Sequence, residues 1–387
     1  MNSAMRALTV RTFGALLLLL DTAAFASYAQ QSPPDSLVTA TPDVPPTREG
    51  AGPKAGQGTL QQELELARDY LTGNGVARDP AQSAYWYRKA ADRGDPDAQV
   101  ELGYFYLAGL GVNRDDQQAA QWFERAAGSG SATGKLNLAV AYLKGVGVPR
   151  DQHLGVTLLT GLANAGDPRA EAYLGMLYYL GVGVAKDPAT AEEWFKKGAK
   201  QHSPEAEYDM GTLYSTSTDH AHDPERAASY FRSSAKAGYV LSMHALGLHL
   251  LLHPELPQGA DESITWLNTA AGAGSWRSSA VLGVLARDGK RGPVDPAAAY
   301  RWFTIAAKQG GTESEKYLRP DLEKCRSNFS AEERTQVEQA AASWIAAHPR
   351  QDVYLLKDGQ QRGYFPLIEV YAIDLAQAGT IQGANTN

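Results

Sequence analysis

Large apolar side chains recur along the chain in a fixed frame. A pair, aromatic or leucine, falls at Trp86-Tyr87, Trp122-Phe123, Leu158-Leu159, Trp194-Phe195, Tyr230-Phe231, Trp266-Leu267 and Trp302-Phe303, each pair 36 residues after the last. Ala91, Ala127, Ala163, Ala199, Ala235, Ala271 and Ala307 keep the same step without exception. Glycine follows at Gly94, Gly130, Gly166, Gly238, Gly274 and Gly310, with His202 in the remaining slot. Seven in-phase copies make this a repeat array.

Polar punctuation turns the frame into helices. Asp79, Asp115, Asp151, Asp187, Asp223 and Asp295 open one helix per copy, with Gly259 in the sixth. Aspartate suits an N-cap because its carboxylate accepts the orphan amide protons of the first turn. Proline follows in four copies (Pro80, Pro188, Pro224, Pro296), where its missing N–H does no harm. The glycine about thirteen residues on fits a left-handed cap. A preceding helix carries leucine or methionine at Leu66, Leu102, Leu138, Leu174, Met210, Leu246 and Leu282, then only alanine or glycine in the next slot (Ala67, Gly103, Ala139, Gly175, Gly211, Gly247, Gly283). A small residue in mid-helix weakens the helix, so another helix is expected to cross there closely. About seven residues join the two helices, which makes them antiparallel neighbours. The pattern predicts an all-α solenoid.

These residues carry a resemblance. The pattern A-x-x-x-L-G-x-x-Y-x-x-G-x-G-V-x-x-D, then an aromatic pair and A-A-x-x-G, is similar to the Sel-like repeat of the tetratricopeptide superfamily. Residues 98–130 (AQVELGYFYLAGLGVNRDDQQAAQWFERAAGSG) follow it nearly position for position. The resemblance implies a right-handed α-solenoid of about seven repeats over residues 60–313, with a concave face lined by the first helices. Carried over slot by slot, it places Glu101, Tyr104, Leu107, Asn137, Lys144, Tyr173, Met176, Tyr179 and Asp209 on that face. Packing between helices is the competing role for several of the tyrosines, and both readings stand at this stage. The resemblance further implies a non-enzymatic interaction scaffold with a protein or peptide in the groove, and it says little about which one.

Composition narrows the classes. Charged residues make up 20% and hydrophobic ones 43%, ordinary for a folded chain. The 36 Lys+Arg against 43 Asp+Glu leave a net charge of −7, so no basic footprint for nucleic acid is expected. Cys325 is the one cysteine; it cannot form an intramolecular disulfide or a cysteine-based zinc site. No cofactor is expected.

Residues 1–29 read as a secretory signal. Arg6 and Arg11 are the basic region, Phe13 to Leu20 the apolar core, and Ala24-Phe25-Ala26 and Ser27-Tyr28-Ala29 offer cleavage sites. The apolar run ends at Asp21, short of the ~20 residues a membrane helix needs; an uncleaved anchor is the rival reading. A periplasmic or secreted location follows as an expectation. Residues 30–59 are rich in proline and glycine and read as a tether. Beyond the seventh repeat, Tyr317-Leu318 falls in phase with a further first helix, and Ser330-Ala331-Glu332-Glu333 is a capping box. Residues 314–350 therefore read as capping helices, and 351–387 as a tail carrying VYLL and YFPLIEVYAI.

Three patterns resemble chemistry. The Gly-x-Gly loops at 109–111, 145–147 and 181–183 lie between helices with no Lys-Ser or Lys-Thr after them, so they read as tight turns and not phosphate cradles. Ser233-Ser234-Ala235-Lys236 is a formal S-x-x-K, but no K-T-G or S-D-N accompanies it, and a β-lactam-directed hydrolase fails on motifs. Five of eight histidines fall between residues 220 and 253. His220, His222, His249 and His253 could converge on zinc if the altered loops of repeats five and six stack; the alternative is a polar loop pair meeting water. A glycan or peptidoglycan binder remains the second functional class, since groove aromatics suit sugar stacking as well as peptides.

Overall fold

The computed structural model describes residues 59–216, 223–257, 259–290 and 292–348. The expected signal, nearly all of the tether, the tail from 351, and His220 and His222 lie outside them. Every regular element among the described residues is a helix: α1 Leu60–Thr72, α2 Pro80–Asp92, α3 Pro96–Ala108, α4 Asp116–Gly128, α5 Ala132–Lys144, α6 Gln152–Asn164, α7 Pro168–Leu180, α8 Pro188–Lys200, α9 Pro204–Thr216, α10 Pro224–Lys236, α11 Val240–Leu252, α12 Gly259–Gly272, α13 Trp276–Asp288, α14 Pro296–Arg326 and α15 Ala331–Ala347. The architecture is an all-α solenoid of helical hairpins. Two compact units divide near residue 191, within α8. No helix among the described residues is long and apolar enough to cross a membrane.

In the unit ending at 191, α1/α2, α3/α4 and α5/α6 are hairpins, and each helix packs on the next. The caps act as their chemistry dictates. Asp79 accepts from the amides of Ala81 and Gln82, Asp115 from Gln117 and Gln118, and Asp151 from Leu154. Gly73, Gly109, Gly145 and Gly181 end the first helices in the left-handed conformation.

The second glycine of each loop has a different reason to be glycine. A side chain on Gly111 would run into the backbone of Pro80, and one on Gly147 into the carbonyl oxygen of Asp116. Each turn therefore rests on the start of the preceding repeat's second helix. Packing also explains the small slot in the first helices. A methyl group on Gly103 would sit 2.5 Å from the Phe123 ring, and one on Gly211 2.6 Å from the Phe231 ring. The helix that crosses there is the second helix of the same repeat.

In the unit from 192, α9/α10, α11/α12 and α13/α14 continue the pattern. One expectation fails. Gly94, Gly130, Gly166, Gly238 and Gly274 all have positive φ, as does His202, but at the last repeat the break falls at Gly311 (φ 65°, ψ −154°) and Gly310 does not carry it. The chain runs from one helix almost directly into the next there. Gly310 is pressed against Trp276 and Ser314, where a methyl group would lie 2.7 Å from the indole. Past the break, Leu318 and Cys325 join Ala299, Tyr300 and Phe303 in a buried cluster. α15 returns with its capping box made by Ser330 and Glu333; Trp344 meets Trp302 at 5.2 Å between ring centres, and the Tyr300 hydroxyl donates to Glu338 at 2.6 Å.

Candidate functional site

The first helices of successive repeats touch one another, α3 with α5 and α9 with α11, which makes their shared face the candidate surface. Its residues divide by depth. Tyr104 is 7% exposed and Asn137 is 3% exposed. The Asn137 amide donates to the Tyr104 hydroxyl at 2.7 Å, and the Tyr104 ring stands edge-on to Phe123 at 5.5 Å. Leu107 and Tyr173 are buried as well. These four side chains form the floor between helices. Glu101, Lys144, Met176 and Tyr179 are half-buried and reach solvent. Lys144 lies in the last turn of α5, where a cation faces unpaired carbonyls favourably. Lys186 places its ammonium 6.0 Å from the Tyr179 ring centre. Arg169 bridges neighbouring first helices, pairing with Asp167 at 2.9 Å and donating to Thr133.

Asp209, on α9, is half-buried. Burial first, and then the nearby Glu205, push its carboxyl well above the ordinary aspartate range.

The two described histidines of the candidate zinc quartet, His249 and His253, lie side by side. The His249 ring places Nε2 2.9 Å from the Pro224 carbonyl and Nδ1 3.3 Å from the Ser215 hydroxyl. Because a carbonyl only accepts, Nε2 carries the proton, and Nδ1 faces a hydroxyl. His253 lies 4.6 Å from that ring and pairs with Glu255 at 3.0 Å. Among the described residues no group of three His, Cys, Asp or Glu side chains could hold a metal ion; His220 and His222 lie outside them. Ser233 and Lys236 are exposed on α10, and the adjacent Ser234 is buried, donating to the Pro204 carbonyl.

Two features were not anticipated from sequence. His244 is buried between α11 and α13 with Nδ1 2.8 Å from the Ser278 hydroxyl; burial, then Arg277, lowers its pKa to about 3. In repeat seven Thr304 and Ile305 are buried, whereas the equivalent Glu124 and Arg125 of repeat two are exposed. The signal that could have found it is a charged pair replaced by Thr-Ile in the sequence.

The Sel1 repeat family model matches residues 63–95, 96–131, 133–167, 168–203, 204–239, 240–275 and 279–311. Among solved structures, the chain is similar to a protective antigen of uropathogenic Escherichia coli displaying an SLR fold, 25% identical over 80% of this chain and 75% of that one, TM-score 0.41. It is also similar to a Sel1 repeat protein from Oxalobacter formigenes, 27% identical over 55% of this chain and 85% of that one, TM-score 0.49. No curated protein matches. With seven successive matches covering well over half its length, the chain belongs to the Sel1 repeat family.

Proposed function

We propose that this chain is an exported, non-catalytic scaffold of a bacterial cell envelope, holding a protein partner on its first-helix face. Sel1 repeat proteins are generally protein-interaction scaffolds and typically not enzymes. The observation that carries the reading is the division of the α3, α5 and α7 face into two layers. Its floor is fixed by the Tyr104–Asn137 hydrogen bond. Above it Glu101, Lys144, Met176 and Tyr179 offer one acid, one base and two adaptable contact side chains. A rigid floor keeps the ordering cost of binding low. The hydrolase reading has no constellation to support it among the described residues.

The test is crosslinked affinity capture from the envelope fraction of the native cell, with residues 30–387 as bait and a Met176→Glu/Tyr179→Glu double variant beside it. A protein retained by the native bait and reduced about tenfold or more by the variant, at unchanged melting temperature, is the expected result. Equal retention by both baits, or recovery of glycan fragments alone, rejects the reading.

A further inference from the structure

Two second-helix sites four repeats apart bring the same three slots together, and only one of them is complete. In repeats five and six the slots hold Arg232 on α10 with Glu262 and Trp266 on α12. Arg232 grips the Glu262 carboxylate through Nε and Nη2, each at 2.7 Å, and the Trp266 indole N–H donates to the same carboxylate at 3.0 Å. In repeats one and two the slots hold Arg88 on α2 with Gln118 and Trp122 on α4. The acid has become an amide. Gln118 turns aside and donates to Gln121 at 3.4 Å.

The guanidinium remains without its anion. Arg88 is half-buried with Cζ 5.5 Å from the Trp122 ring centre. Its Nε, the atom that in Arg232 meets the carboxylate, has no hydrogen-bond partner. Its Nη2 donates one proton to the Tyr106 hydroxyl and keeps a second, and the phenol keeps its own proton to donate. Arg125 lies over the same indole, with Cζ 4.4 Å from the ring centre, so two cations share one ring. No carboxylate among the described residues forms an ion pair with either arginine. Asp116 is held by Arg114 at 3.0 Å, and Glu124, next to Arg125 on the helix, points to a different side. A half-buried cation left unpaired is unfavourable.

We propose that this second-helix face of repeats one and two binds an acidic side chain of a partner protein, whose carboxylate takes at Arg88 the place that Glu262 takes at Arg232. Nε and the free Nη2 proton form the fork that matches two carboxylate oxygens. Arg125 and Tyr106 extend the site to a second acid beside the first. The chain's own solution in repeats five and six is a carboxylate, which favours glutamate or aspartate over phosphate. Because α2 and α4 build this face, its ligand is independent of what the α3, α5 and α7 face holds.

The experiment titrates the full chain with a capped tetraglutamate peptide at low salt in a calorimeter, with tetraglutamine as the control. Saturable binding of the glutamate peptide alone is expected. Gln118→Glu supplies the missing carboxylate from within, recreating the Arg232–Glu262–Trp266 arrangement. It is expected to weaken peptide binding about tenfold or more and to raise the melting temperature. Arg125→Gln, at an exposed position, is expected to weaken binding about threefold at unchanged melting temperature. The Met176→Glu/Tyr179→Glu variant is expected to bind the peptide as the native chain does, which separates this face from the first-helix face. No glutamate binding, binding that Gln118→Glu leaves unchanged, or tighter binding of inorganic phosphate than of the peptide overturns the proposal.

Discussion

The same two slots meet in both units, and different chemistry fills them. Between α3 and α5 the contact is Tyr104 with Asn137, a buried hydrogen bond. Between α11 and α13 the corresponding residues are Leu248 and Val281, members of an apolar cluster with Leu267, Leu282 and Leu285. The backbone frame tolerates either because both pairs fill the space between crossing helices. The polar version fixes a unique geometry at modest net gain, and the apolar version supplies burial directly. The repeat dictates where a contact falls; the local pair decides what it does.

The contrast can be broken most severely from the apolar side. Val281→Asn places an amide in the apolar cluster of Leu248, Leu267, Leu282 and Leu285, and a loss of about 3 kcal/mol is expected in chemical denaturation. Acid comes next. His244 is held neutral in the folded unit, with a pKa near 3, against about 6.5 when unfolded. The unfolded chain therefore binds the extra proton below pH 6.5, and stability is lost as pH falls from there toward 3. At pH 5 the loss from this group is about 2 kcal/mol. Hydrogen exchange should show α11 and α13 opening before α3 and α5, and His244→Gln should flatten the dependence.

Smaller effects sharpen the comparison. Asp209 has a raised folded-state pKa, so the folded state binds its proton more tightly and stability falls as pH rises from about 4 through that raised value. Asp209→Asn should accordingly stabilise the unit at pH 7, with the gain vanishing near pH 3. The smallest change is expected from Asn137→Val, within about 1 kcal/mol of native. It gives up the bond to Tyr104, but it also removes Oδ1, a buried oxygen with no hydrogen-bond partner among the described residues. A loss as large as that of Val281→Asn would show the polar seam to be the stronger one.

The frame of the fold was legible because cap, small slot and aromatic pair all repeat with one period, so each confirmed the others. The left-handed glycines followed, except at Gly310, where the chain continues into a further helix and the turn moves to Gly311. The depth of the site was less legible. Which of Glu101, Tyr104, Leu107 and Tyr173 reach solvent depends on the gap between successive first helices, a tertiary quantity that no single helix encodes. A step of 33 residues, from Tyr104 to Asn137, would have suggested their contact, because it joins adjacent slots of adjacent copies. His244 could not be placed from its neighbours in sequence, since Ser278 lies 34 residues on.

The turns resting on preceding helices bear on how the chain is made. The start of α2 at Pro80 is covered by the loop at Gly111, and the start of α4 by Gly147. A hairpin emerging from the ribosome is thus unfinished until about 20 further residues follow, which at 5–20 residues per second is a wait of about 1–4 s. During that wait each of the first two nascent repeats shows a patch of bare backbone that its successor closes. Assembly of these repeats is therefore vectorial, and an array stalled among them ends in one incomplete unit.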